Sequence, residues 1–91
     1  MSRMTPVTTT VAVRYFAAAR AAAGVEIEKV QLTAGATVED LLDAVRAAHG
    51  AELSRVLDRC SFLLNEMAVR DRTVSVTEDA TLDVLPPFAG G

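Results

Sequence analysis

The residues of this sequence best suited to chemistry are its last six, which read Pro86-Pro87-Phe88-Ala89-Gly90-Gly91. Two consecutive prolines hold the backbone near the extended polyproline conformation, so they form a stiff stem that leads away from the preceding element. Gly90 and Gly91 have no side chains, and an extended Gly-Gly tip is thin enough to enter a narrow channel in another protein. A tail of this length can reach roughly 20 Å.

The functional group that this tail offers is the α-carboxylate of Gly91. A carboxylate is a poor electrophile because it is negatively charged, but a mixed anhydride with AMP has a good leaving group. A sulfur nucleophile can then take the acyl group, which gives a thiocarboxylate at the end of the stem. The residues alone allow such an activated-carboxylate carrier, and they also allow a frayed end that happens to carry glycines.

Two further side chains are candidates for chemistry. His49 is the only histidine, and it lies at a predicted helix C-terminus, where the helix dipole favours an imidazolium, so we interpret it as a capping residue. Cys60 is the only cysteine, which excludes a disulfide framework and a multi-cysteine metal site. Free cysteine is usually buried, so we interpret Cys60 as structural, with a role in sulfur relay as the alternative.

The composition excludes several classes of protein. A chain of 91 residues fits one domain. A net charge of −3 argues against a nucleic-acid partner and suits a partner with a basic surface. No apolar run reaches the roughly 20 residues that cross a bilayer, and residues 1–10 lack the apolar centre of a secretory signal. Together with the single cysteine, these features lead us to expect a cytoplasmic protein without a membrane partner.

The first half of the chain predicts two strands and a helix. Period-two alternation indicates strands over Val7–Phe16 and Val25–Leu32, joined by a short helical turn and paired antiparallel. The alternation slips at Lys29, which a bulge would explain. Thr37 and Asp40 have the spacing of a capping box at the start of a helix that ends at Gly50. Its apolar stripe comprises Val38, Leu41, Leu42, Val45 and Ala48.

The second half predicts a short helical turn followed by strands. Cys60–Val69 has the pattern of a hairpin around Asn65-Glu66, because asparagine tolerates positive φ. Arg72–Leu85 indicates a short edge segment, a turn and a last strand that stops before Pro86. The element order β-β-α-β-β-β predicts an α+β fold, a β-grasp roll. Its mixed sheet of four to five strands would carry one main helix on one face. Residues 1–85 would form this domain and residues 86–91 the extended tail.

Four segments carry a resemblance to a known family: VAVRYFAAARAAAG, TVEDLLDAV, LLNEMAV and LDVLPPFAGG. In this order and spacing they closely resemble the MoaD group of the MoaD/ThiS sulfur carriers, the small subunits of molybdopterin synthase. The resemblance covers Val7 to Gly91. Its most specific element is the pattern Pro86-Pro87-x-x-Gly90-Gly91. It implies a ubiquitin-like β-grasp fold, which agrees with the strand order derived above.

The resemblance also implies a reaction sequence. An adenylyltransferase of the ubiquitin-activating type would use ATP to adenylate Gly91, and a sulfur donor protein would convert the adenylate to a thiocarboxylate. The tail would then enter the large catalytic subunit and donate sulfur to cyclic pyranopterin monophosphate. The chain would hold no tightly bound cofactor or metal and would not be catalytic alone. A heterotetramer with two copies of each subunit is expected.

The resemblance assigns roles within the tail as well. Gly91 would be the reacting residue, and Phe88 an anchor in the partner's channel. The remaining partner-binding residues of the tail would be Pro86, Pro87, Ala89 and Gly90, and exposed apolar residues of the sheet would form a docking face. The chain departs from the family at Asp79-Ala80, where a Gly-Asp pair is usual, and at Phe88, where a smaller aliphatic residue is common.

Three alternatives remain at this point. The chain could carry sulfur for thiamine or cysteine synthesis, which the Pro-Pro stem disfavours. It could be a ubiquitin-like modifier whose Gly91 forms an isopeptide bond with lysine, since that chemistry begins in the same way. It could also be a plain interaction domain that needs no free terminus.

Overall fold

The structure, a computed structural model, describes residues 7–87, which form a mixed sheet with helices on one face. In chain order the elements are β1 (Thr8–Tyr15), α1 (Ala17–Ala23), β2 (Ile27–Thr33), α2 (Val38–His49), α3 (Ala51–Leu57), β3 (Ser61–Leu64), β4 (Met67–Ala68) and β5 (Thr81–Leu85). The five strands lie in the order β2-β1-β5-β3-β4. The β1–β5 pair is parallel and the other neighbouring pairs are antiparallel. The predicted β-grasp roll is confirmed.

The core lies between the sheet and the helices. Alternate residues of β1 and β5 point inward and are buried, while the apolar stripe of α2 packs over them. The central buried side chains are Val11, Val13, Tyr15, Leu82 and Val84 from the strands, and Val38, Leu41, Leu42 and Val45 from α2. Ala48, predicted to belong to the stripe, is exposed, because His49 occupies the inward position in the last turn.

The helical layer is larger than the sequence predicted. The expected short turn after β1 is a seven-residue α-helix, α1, which ends at Gly24 in the left-handed conformation. Ala19 of α1 is fully buried, and its small side chain lets α1 pack closely. Within residues 7–87, α1 and α3 therefore help α2 to cover the sheet. None of the helices in this part of the chain is both long and apolar enough to cross a membrane.

Local turn chemistry is confirmed in three places. Thr37 and Asp40 form the complete capping box of α2. Asn65 and Glu66 have φ values of 49° and 71°, as a tight hairpin between β3 and β4 requires. Asp79 has a φ of 64°, so the left-handed turn before β5 is kept without glycine.

Two other expectations are wrong. No bulge interrupts β2, whose pairing with β1 runs without a break from Thr8↔Thr33 to Arg14↔Ile27. The alternation slips because a charged residue, Glu28, occupies an inward position opposite Val13. The predicted edge segment after Arg72 makes only an isolated bridge between Ser75 and Thr37.

Candidate functional site

The described part of the tail begins at the middle of the sheet. Strand β5 lies between β1 and β3, and its last residue, Leu85, pairs with Ser61. On the other side the Phe16 amide donates to the Val84 carbonyl at 3.3 Å. Pro86 and Pro87 follow at once, and they cannot continue the strand because proline lacks an N–H donor. The strand end predicted at Leu85 is therefore confirmed.

The other predicted tail residues, Phe88, Ala89, Gly90 and Gly91, lie outside the described residues. The site that the structure defines is therefore the root of the tail and the surface around it. This surface is the outer face of the sheet, which the helices do not cover. We use the term outer face for the outward-pointing residues of β1, β2, β3 and β5, together with Phe16.

An ion pair occupies the centre of the outer face. Arg14 lies opposite Asp83 in the parallel register of β1 and β5. Its Nε donates to Asp83 Oδ1 at 2.6 Å, and its Nη2 donates to Oδ2 at 2.9 Å. These hydrogen bonds, with the charge of Asp83, raise the pKa of the Arg14 guanidinium. Asp83 is only 5% exposed, so the arginine compensates a carboxylate that is nearly shielded from water.

Apolar side chains flank this ion pair on the neighbouring strands and toward the root of the tail. Ile27 pairs with Arg14 across β1–β2, and Leu63 pairs with Asp83 across β3–β5. Leu85 lies one outward position beyond Asp83. Phe16 lies one outward position beyond Arg14, with its ring centroid 5.8 Å from the guanidinium carbon. Phe16 is 40% exposed and Ile27 52% exposed, so the root of the tail adjoins apolar surface in contact with solvent.

His49 has a structural role beyond the predicted cap. Its Nε2 lies 2.7 Å from Glu28 Oε2, and the hydroxyl of Tyr15 donates to the same oxygen. The rings of Tyr15 and His49 meet edge to face, with centroids 5.8 Å apart. Burial, then the hydrogen bond to Glu28 and its charge, raise the pKa of Tyr15. This cluster joins β1, β2 and the end of α2 on the covered side of the sheet.

Cys60 has the features of a structural thiol. It lies just before β3, is half-buried, and donates a hydrogen bond from Sγ to the Val56 carbonyl at 3.2 Å. Burial raises the pKa of the Cys60 thiol. A thiol with a raised pKa is a weak nucleophile near neutral pH, which argues against the relay alternative.

Comparison with known proteins shows which family has this architecture. The model of the ThiS family matches residues 13–91, from β1 through the tail. The chain belongs to the ThiS family. Among curated relatives of this ThiS-family chain is the molybdopterin synthase sulfur carrier subunit of Chlamydomonas reinhardtii. The two are 40% identical over 80 residues, which is 87% of this chain and 95% of the relative.

Solved structures of similar proteins show the same fold. SAMP1 from Haloferax volcanii superposes with a TM-score of 0.81 and 30% identity, covering 90% of this ThiS-family chain and 99% of the other. The putative molybdopterin converting factor subunit 1 from Pyrococcus furiosus has a TM-score of 0.79 and 26% identity, covering 88% and 99% of the two chains. The ubiquitin-like assignment is thereby confirmed.

The sequence did not reveal the Arg14–Asp83 pair or the Tyr15–Glu28–His49 cluster. One signal for the pair was present, because both residues occupy outward positions of their predicted strands. Only the parallel register of β1 and β5, however, brings them together. For the cluster the signal was the slip in the alternation of β2, which reflected an inward carboxylate.

Proposed function

We propose that this ThiS-family chain is the sulfur carrier subunit of a molybdopterin synthase. The observation that carries the proposal is the 40% identity to a protein of that name, extending over nearly the whole of both chains. The position of the tail supports it. A stem that leaves the central strand of a rigid sheet starts from a fixed point, as delivery of a terminal group to a partner's active site requires.

The reaction would take place at the carboxylate of Gly91. An adenylyltransferase of the ubiquitin-activating type joins this carboxylate to AMP from ATP, and pyrophosphate is released. The terminal sulfur of a persulfide on a sulfur donor protein then bonds to the acyl carbon as the C–O bond to AMP breaks. A thiol reduces the resulting acyl disulfide, which leaves the thiocarboxylate and a disulfide. The chain needs no catalytic side chain of its own for these steps. Its contribution is a stable scaffold with an unhindered acyl group at the end of a stiff tail.

The large catalytic subunit would receive both the tail and the outer face. Pro86, Pro87, Ala89 and Gly90 would lie in the partner's channel, with Phe88 as an apolar anchor. The exposed apolar residues around the tail root supply area for docking, because burying Phe16 and Ile27 removes apolar surface from water. Sulfur then passes to cyclic pyranopterin monophosphate in the large subunit, and water replaces it at the acyl carbon, so that the Gly91 carboxylate is restored. We expect two copies of each subunit and a cytoplasmic location.

Intact-mass spectrometry after co-expression with an activating enzyme tests this function. We expect a mass increase equal to the replacement of one oxygen by sulfur, localised to Gly91. A variant lacking Gly91 serves as the control, and it should fold normally but show no exchange. A chain with extra residues fused after Gly91 should also be inactive. Cofactor synthesis by that fusion without prior trimming would contradict the proposal.

Protein modification is a second candidate, favoured by one observation. SAMP1, also called small archaeal modifier protein 1, is 30% identical to this chain and shares its fold. A modifier would form an isopeptide bond between Gly91 and a lysine of its target, with AMP or a thiol as the leaving group. The same co-expression experiment separates the two functions, because a modifier would produce a ladder of conjugates.

The sequence sharpens that second test. Lys29 is the only lysine in the chain, and it is exposed on β2. Isopeptide-linked polymers of this protein would therefore have to use Lys29. A Lys29→Arg variant has no lysine, so polymers that persisted in it would not be joined through a lysine isopeptide bond. For the thiamine and cysteine alternatives, the discriminating measurement is which sulfur acceptor consumes the purified thiocarboxylate.

A further inference from the structure

The Arg14–Asp83 ion pair, which has no net charge, occupies the centre of the outer face. The proposed sulfur chemistry takes place at Gly91 and does not require these charges. Arg14 binds Asp83 through two hydrogen bonds, which use its Nε and one N–H of its Nη2. A guanidinium has five N–H donors. Within residues 7–87 no acceptor other than Asp83 binds the Arg14 guanidinium, and the Arg14 side chain is 43% exposed. Its remaining donors are therefore available to water or to a partner.

A partner that covers this face would remove that water. A charged donor that is buried without an acceptor costs free energy, so the covering surface must provide acceptor atoms at this point. A partner with an apolar patch opposite Arg14 would bury unpaired N–H groups and bind poorly. The ion pair thus places a chemical requirement on whatever docks here.

The surroundings of Arg14 strengthen this requirement. Ile27 lies beside Arg14, and Leu63 lies beside Asp83. Leu85 lies one outward position further along β5, and Phe16 directly follows the end of β1. Once covered, these apolar side chains exclude water from their sides of the ion pair, and the remaining side is a polar depression bordered by Asn65, Glu66 and Thr81. Arginine at the dry centre of an interface is a frequent hot spot.

Charge indicates which acceptor fits. Asp83 already balances the charge of Arg14. Arg14, Asp83 and Glu66 line one depression with a volume of about 350 Å³. Asn65 and Thr81 also border it. A partner carboxylate placed there would join two carboxylates and a single arginine, leaving an excess of negative charge. A neutral carbonyl oxygen satisfies the free donors without that repulsion.

We propose that Arg14, held in place by Asp83, is the specificity-determining residue of the outer face. The partner is a protein surface that presents neutral acceptor oxygens, main-chain or amide carbonyls, to the free N–H groups of Arg14. This inference rests on the proposed function, because it takes the large subunit of molybdopterin synthase as the protein that covers the face.

A charge-neutral double substitution tests the inference. Arg14→Met with Asp83→Ala removes one positive and one negative charge, so the net charge of −3 and long-range steering are unchanged. The matched control is Arg46→Met with Asp58→Ala, which removes a 3.2 Å ion pair between α2 and the end of α3, away from the outer face. The probe is the large subunit of molybdopterin synthase from the same organism, titrated by calorimetry at low and at high salt.

We expect the Arg14/Asp83 variant to lose about tenfold or more in affinity at both salt concentrations, and the control to bind like the wild type. Circular dichroism and thermal unfolding confirm that each variant is folded. If the double variant does not fold, Arg14→Lys is used in its place to test the inference. Lysine keeps the positive charge but lacks the planar set of donors of a guanidinium. This variant should also bind more weakly than the wild type.

Each of the other outcomes would contradict the inference, the neutral acceptor or the proposed function. Unchanged affinity of the folded double variant, or of Arg14→Lys in its place, overturns the inference while leaving the proposed function intact. A loss that disappears at high salt overturns the neutral acceptor, because only a charged acceptor is screened so strongly. Failure of the wild-type chain to bind the large subunit at either salt concentration overturns both the inference and the proposed function.

Discussion

The two faces of the sheet differ in how their polar groups are arranged. On the covered face, Tyr15 and His49 both bind the same oxygen of Glu28, and the surrounding side chains are apolar and buried. On the outer face, Arg14 and Asp83 bond to each other, but the guanidinium keeps donors directed to solvent and its apolar neighbours are exposed. The first arrangement is complete within the chain, whereas the second leaves donors that water or a partner can bind.

This contrast separates stability from recognition. Residues on the covered face should determine whether the chain folds, and residues on the outer face should determine what the folded chain binds. Because the strands alternate, neighbouring residues of one strand serve the two purposes in turn. The contrast can therefore be tested with single substitutions along the same element.

The largest effect is expected in the core. Leu41→Ala removes a fully buried side chain of α2 and leaves a cavity against the sheet. We expect a loss of about 2–5 kcal/mol in the free energy of unfolding. Equilibrium denaturation in urea measures it. A loss below about 1 kcal/mol would show that the covered face is loosely packed and that the contrast is overstated.

A smaller effect is expected in the polar cluster. Tyr15→Phe removes the hydroxyl that donates to Glu28 at a side chain that is only 1% exposed. We expect a loss of about 1–3 kcal/mol, because the hydrogen bond has a charged acceptor. His49→Gln alone and combined with Tyr15→Phe completes a double-mutant cycle. Strict additivity in that cycle would argue against a coupled cluster, since both groups bind the same oxygen.

Cys60 gives a pH-dependent test on the covered side. Its pKa is raised in the folded state by burial, so folding favours the protonated thiol. This contribution is fully present below the unfolded pKa of about 8.5 and is lost as the pH rises through the folded value. We expect the wild type to lose stability relative to Cys60→Ala as the pH rises above this point, as measured by urea denaturation.

The same variant addresses the relay alternative. Cys60→Ala should retain full sulfur transfer, because a half-buried thiol with a raised pKa is not the carrier. Loss of thiocarboxylate formation in a folded Cys60→Ala chain would restore Cys60 to the mechanism.

The smallest effect on stability is expected on the outer face. Ile27→Thr changes a side chain that is 52% exposed, and we expect a change within about 0.5 kcal/mol in thermal unfolding. Val30→Thr, three residues further along β2 and packed against the core, is the matched control and should cost more. Binding to the large subunit should show the opposite order. If Ile27→Thr were the more destabilising substitution, the assignment of stability to the covered face and of recognition to the outer face would be wrong.

The features predicted correctly from sequence depend on neighbouring residues. The capping box needs only Thr37 and Asp40, and the hairpin needs only that Asn65 and Glu66 accept positive φ. The end of β5 at Leu85 follows from the missing N–H donors of Pro86 and Pro87. Such signals survive without knowledge of the tertiary structure.

The features that sequence missed depend on distant pairing. Arg14 and Asp83 are 69 positions apart, and their contact follows from a parallel register that local patterns do not encode. The sequence predicts a bulge at Lys29, but the slip in the alternation arises from an inward carboxylate, that of Glu28. Its partners, Tyr15 and His49, belong to elements whose mutual placement is set by the whole fold.

The central place of β5 has a consequence for the order of synthesis. Within residues 7–87 this strand alone joins the β1–β2 pair to the β3–β4 hairpin, and it follows the other four strands in chain order. A chain interrupted before Thr81 would therefore lack the element that unites the two pairs of strands, and we expect it to remain unfolded. An activating enzyme that recognises the finished domain would then meet only molecules whose translation had already reached the tail.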